Sequence, residues 1–114
     1  AERALLTEVL SDLLPRLERL DLNGYFFDDP SGLPGYDQAV SEPMHFSEMR
    51  ARLARGSYRS LEAFGYDFTL ICRNAMKYNQ PGSRAYASAD GLLVAGQHLL
   101  SLAQADLAKR ALAL

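Results

Sequence analysis

Residues 64–82, FGYDFTLICRNAMKYNQPG, decide the fold. Phe64, Phe68, Ile71, Cys72, Ala75 and Met76 recur at three- and four-residue intervals, the period of one buried helical face. Asn79 closes that face, and Pro81-Gly82 then forces a turn. The Asn79 amide therefore projects from a helix end toward the space beneath a loop. It carries two N–H donors and one carbonyl acceptor without charge, which suits a neutral polar ligand such as another amide. A capping role is the competing reading, because Asn tolerates the left-handed conformation at helix C-termini.

Working outward, the spacing predicts four helices and one long loop. Leu5, Leu6, Val9, Leu10, Leu13, Leu14, Leu17 and Leu20 form a wide apolar stripe, so a first helix is expected over about 3–20. Pro15 should kink or restart it, although the stripe stays in phase across the proline. From Asn23 to Pro43 the glycines and prolines are too dense for a regular element beyond a brief helix over about 36–40, and so long a loop inside a compact domain is usually functional. Phe46, Met49 and Leu53 share a face that ends at Gly56. Ser60 can cap the helix that leads to Asn79, and a final helix runs from near Ser83 past Leu107. Short connections favour antiparallel neighbours in a bundle.

Length and composition agree with one all-helical domain. The chain has 114 residues, 48% of them hydrophobic, enough for a single core. Its apolar runs fall short of the roughly 18 to 20 residues that span a bilayer, and no secretion signal opens it, so it reads as soluble. The lone Cys72 sits on an apolar helical face and reads as a small buried side chain in a reducing compartment. The net charge of −2 is uneven: no Lys or Arg lies between Leu20 and Met49, where Asp21, Asp28, Asp29, Asp37, Glu42 and Glu48 are found. That surface would attract a cationic partner and disfavours nucleic acid.

Other chemistries find little support. Glu42-x-x-His45 has the spacing of a carboxylate-bridged metal motif, but it has no second copy and Pro43 lies inside it, so no metal site is expected. No phosphate-binding Gly-rich loop, activated Ser or Cys, or paired buried carboxylates can be found, so neither catalysis nor a cofactor is expected.

Several motifs, taken in order, resemble the bromodomain family. Tyr25-Phe26-Phe27 stands where the family has its Trp-Pro-Phe shelf, Pro34-Gly35-Tyr36 matches the end of its first long loop, and Pro43-Met44-His45-Phe46 matches its Pro-Met-Asp-Phe element. The runs 58–64 and 67–71 match the start of its third helix and Asn74-Ala75-Met76-Lys77-Tyr78-Asn79 the end. The resemblance implies a left-handed antiparallel four-helix bundle with a long loop between the first and second helices. It covers a core of about 5–102 in a single domain of 1–114, with the last helix extending to the end.

It further implies an acetyl-lysine reader. Asn79 would donate to the acetyl carbonyl and Tyr36 would hold the same oxygen through a water, with Tyr78 lining the wall. Phe27 would reach the acetyl methyl at the floor, Tyr25 and Phe26 would form the shelf, and Pro30, Ser31, Ala75 and Ala85 would complete the surround. Such a slot favours the neutral amide, because an ammonium would shed its water with no carboxylate inside to replace it. The chain departs from the family in a shorter loop, in Ser31 where Val is usual, and in Ala85 at the bulky gatekeeper position, which leaves Tyr86 pointing into the bundle. The partners implied are acetylated histone tails or other basic nuclear proteins, bound by a monomeric, nuclear chromatin module of a larger chain. A bundle with a degenerate pocket, acting only as a protein-protein scaffold, is the alternative.

Overall fold

The computed structural model describes residues 2–114. Helix α1 spans Glu2–Leu20, α2 Tyr36–Ala39, α3 Phe46–Ala54, α4 Leu61–Tyr78 and α5 Arg84–Leu112, with a 3-10 turn at Pro30–Gly32, and the described residues include no strand. Pro15 neither ends nor splits α1. The carbonyl that it leaves without a helical donor is that of Ser11, an exposed residue, so water can take the place of the missing N–H.

Local signals set the helix ends. The Ser60 hydroxyl accepts from the Ala63 N–H at 3.1 Å, and that of Ser83 from the Tyr86 N–H at 3.2 Å. Helix α3 gives way to Gly56, whose φ of 72° suits glycine. The first two N–H groups of α3 are satisfied differently: Phe46 N donates to the Phe26 carbonyl at 2.9 Å and Ser47 N to that of Phe27 at 3.0 Å. The long loop is thereby fastened to the start of α3.

Helix α5 packs on both α1 and α4, while α3 bridges the same two helices. Leu10, Leu14, Leu17, Phe46, Met49, Phe64, Phe68 and Cys72 are fully buried between them. Burial pushes the Cys72 thiol up to about 12, so it is an inert core side chain. Packing extends along α5 to Ala103 and Leu107. The α4–α5 crossing depends on Gly96, where an added Cβ would lie 2.0 Å from Phe68 Cζ. Between α3 and α4, buried Asp67 accepts from the Tyr58 hydroxyl at 2.7 Å and from Arg52 at 2.9 Å.

Candidate functional site

At the C-terminal end of α4 the loop covers a cavity of about 170 Å³, lined by residues that include Asn79, Tyr78, Tyr36, Ala75, Phe26 and Ala85. A more open groove of about 480 Å³ lies at the opposite end, between the start of α1 and the end of α5. Its lining includes Glu2, Arg3, Arg59 and Glu62, two acids and two bases. The smaller cavity has the combination expected of a ligand site, apolar walls with a few converging polar groups.

Ile71, Ala75, Tyr78 and Asn79 reach the cavity from one face of α4, four and then three and one residues apart. Asn79 is the C-cap, and its φ of −91° and ψ of 150° are extended, not left-handed. It nonetheless caps: its Nδ2 donates to the Ala75 carbonyl at 2.9 Å, as does its backbone N–H. That bond uses one of the two amide hydrogens and fixes the plane of the group. Its other N–H and its carbonyl remain available, so capping and ligand binding are compatible.

Tyr36 and Tyr78 stand side by side, ring centroids 5.1 Å apart and tilted by 56°. The Tyr78 hydroxyl donates to the Pro34 carbonyl at 2.7 Å, which ties the loop to α4. A second tie runs from buried Asn74 Nδ2 to the Glu42 carbonyl, also at 2.7 Å. Tyr36 is buried, and burial, assisted by the Asp29 charge, holds its phenol above the ordinary range. It therefore stays a neutral hydroxyl that can donate.

The shelf needs a correction. Phe26, not Phe27, lines the cavity and packs against the core, whereas Phe27 is 41% exposed. Asp21 accepts from the N–H groups of Tyr25 and Phe26 at 3.1 and 2.9 Å, and the two phenylalanine carbonyls are held by α3. Those bonds fix the register, and only Phe26 falls on the inner side. Ser31 is likewise outside the lining. Its N–H and hydroxyl donate to Asp29 Oδ1 at 2.9 and 2.6 Å, the N-cap of the 3-10 turn, so its side chain serves the loop itself. Pro30 and Tyr25 do line the cavity, and half-buried Tyr86 does not.

Sequence reasoning passed over Leu33, Met44, His45 and Ile71 as lining residues. Ile71 could have been found from its helical spacing to Ala75. The expectation of a slot without a carboxylate is also corrected, since exposed Asp28 is part of the lining. The acidic stretch is not uniformly free surface. Asp21 and Asp29 hold the loop, Glu42 accepts from the Tyr66 hydroxyl at 3.0 Å, and Glu48 pairs with Arg52 and Arg55. Exposed Asp28 and Asp37 remain to meet a partner's charge.

The Bromodomain family model matches residues 8–91. Bromodomain-containing protein 7 of Homo sapiens is 35% identical over 102 residues, covering 88% of this chain and 16% of that protein. Bromodomain-containing protein 9 of Xenopus laevis is 37% identical over 100 residues, covering 86% of this chain and 19% of that protein. The chain thus spans less than a fifth of these relatives. A bromodomain from Trypanosoma brucei superposes with a TM-score of 0.80 at 32% identity, over 84% of this chain and 96% of that one. A Leishmania donovani bromodomain complexed with bromosporine shares the fold at a TM-score of 0.74 and 24% identity, over 91% of this chain and 86% of that one. This chain belongs to the bromodomain family, whose members are generally acetyl-lysine readers and not enzymes.

Proposed function

We propose that this bromodomain binds acetyl-lysine in the cavity at the end of α4 and reads it in basic tails of histones or other nuclear proteins. The observation that carries the reading is the convergence of Asn79, Tyr36 and Tyr78 on one apolar-walled cavity, with the Asn79 plane already set by its bond to Ala75. The free Asn79 N–H donates to the acetyl carbonyl. The neutral Tyr36 hydroxyl reaches the same oxygen through a water, a bridge nearly as favourable as a direct bond. Phe26 takes the inner place expected of Phe27 and meets the acetyl methyl, while Tyr25 and Pro30 flank the lysine methylenes and Ala75 and Ala85 complete the wall.

The chemistry selects the modified side chain. An acetylated lysine is a neutral amide that matches one donor in an apolar slot, whereas an ammonium would shed most of its hydration before reaching it, at a cost of several kcal/mol. Asp28, an exposed member of the lining, and exposed Asp37 favour Lys or Arg elsewhere in the tail. The module acts as a monomer within a longer nuclear chain, at chromatin, without catalysis or direct contact with nucleic acid.

An acetylated-peptide array probed alongside unmodified peptides tests the reading, followed by titration of the best peptide into Asn79→Ala. Removing the amide leaves the bound carbonyl desolvated and unpaired, so affinity should fall by about 1 to 3 kcal/mol. Equal affinity in a folded Asn79→Ala protein would remove this residue from the site, and equal binding of unmodified peptides would end the reader assignment.

A further inference from the structure

Among the described residues, a single hydrogen bond joins the segment 28–41 to the rest of the chain, and Tyr78 makes it. The others in that segment are internal: Ser31 to Asp29, Leu33 to Pro30, Tyr36 to Leu33, and the one turn of α2. Helix α2 is four residues long, too short to persist alone, and the elements it packs on are α4 and the 3-10 turn. Tyr36 and Val40 are buried. Apolar burial is non-directional, however, and does not by itself fix which way the segment turns. The 2.7 Å bond from the Tyr78 hydroxyl to the Pro34 carbonyl supplies that direction.

The place of this bond in the chain gives it a use. Tyr78 is the last residue of α4 and precedes Asn79, so the helix end that carries the amide also holds the loop. Pro34 stands two residues before Tyr36 with only Gly35 between them, and Gly35 takes a φ of 72°. A shift of the Pro34 carbonyl is therefore carried to the Tyr36 ring, which lies 5.1 Å from that of Tyr78. A water bridge does not tolerate such a shift, because the water must stay within about 3 Å of both the hydroxyl and the acetyl oxygen. Asn79 is insulated from it, since its amide is held by Ala75 of its own helix.

We infer that Tyr78 is a positioning residue: by holding the Pro34 carbonyl it sets where the Tyr36 hydroxyl stands, and so acts on the acetyl oxygen through Tyr36 and its water. The inference rests on the reader assignment and gives Tyr78 a role beyond lining the wall. The test uses the 114-residue chain and one acetyl-lysine peptide, titrated calorimetrically into wild type, Tyr78→Phe, Tyr36→Phe and the double variant. Tyr78→Phe keeps the ring and loses only the donor. Each single variant should bind about five- to tenfold more weakly. If Tyr78 acts through Tyr36, the double variant should lose no more than about tenfold, whereas independent contacts would multiply to about 25- to 100-fold. In the free protein, the Tyr36 ring ¹H resonances should move in Tyr78→Phe while the α5 amide signals stay. Replacing Tyr78 by 4-aminophenylalanine, which can still donate to the Pro34 carbonyl, should restore most of the affinity. Losses that multiply, wild-type affinity in Tyr78→Phe, or Tyr36 resonances that do not move overturn the inference. In that event, binding that needs both the acetyl group and Asn79 leaves the reader assignment standing, whereas no binding of acetylated peptide to wild type overturns both.

Discussion

At the α4–α5 seam, Phe68 fills the space that any side chain at residue 96 would need, with Cζ 2.0 Å from where a Cβ would be. At the loop end, the chain between α1 and α3 is fastened by single polar side chains: Asp21 on Tyr25 and Phe26, Asn74 on Glu42, Tyr78 on Pro34. The seam is held by shape, which many apolar atoms share. The loop packs Phe26 and Met44 against that core, but its course is set by a few directional bonds. A reader needs both, since a rigid bundle keeps the end of α4 in place while a tethered loop keeps its cavity open. The difference predicts that damage at the seam unfolds the protein, whereas damage at the loop alters the site and spares the fold.

The strongest test of that division is Gly96→Ala. The added methyl must displace the Phe68 ring, so unfolding free energy should fall by about 3 kcal/mol, read from denaturant titration. Combining it with Phe68→Leu should recover part of the loss. Additive losses would show that the close approach is not what sets the seam.

Asn74→Ala should act at the other end. It removes a buried bond of 2.7 Å to the Glu42 carbonyl and should cost about 2 kcal/mol, with amide exchange rising over residues 28–45 more than in α5. Exchange that rises equally in α5 would mean that loop and core unfold as one unit.

The smallest effect lies in the polar knot of Tyr58, Asp67 and Arg52. Burial, aided by Asp67, holds the Tyr58 phenol above its ordinary value of 10.0. Folding therefore retains a proton that the unfolded chain releases, and this contribution is complete below pH 10.0 and is lost as pH rises toward the folded value. Stability should decline above that point in wild type and less steeply in Tyr58→Phe, which at neutral pH is about 1 kcal/mol weaker. Parallel alkaline profiles would assign the decline to other groups, buried Tyr36 first among them.

The helical face from Phe64 to Met76 was legible because burial on one side of a helix repeats every three or four residues whatever lies opposite. Caps such as Ser60 and stops such as Gly56 are equally local, and both act where the spacing places them. The motifs around Tyr36 and Asn79 pointed to one cavity, which both residues line. Phe26 and Phe27 could not be told apart, since they are identical neighbours and only the bonds to Asp21 and α3 choose which turns inward. Ser31 was expected in the wall for want of any sign that Asp29 would claim its hydroxyl.

By itself, then, the sequence determined what depends on periodicity and on neighbours a few residues apart: the helices, their ends, the buried stripes and the position of Asn79 at the end of one. The tertiary structure decided what depends on partners far along the chain. Loop register, the choice of Phe26 and the entry of Asp28 into the lining all follow from contacts such as Asn74 with Glu42 and Tyr78 with Pro34, separated by 32 and 44 residues. A hydrogen bond forms only where a donor and an acceptor are brought within about 3 Å, and spacing along the chain carries no record of which distant groups folding will bring together.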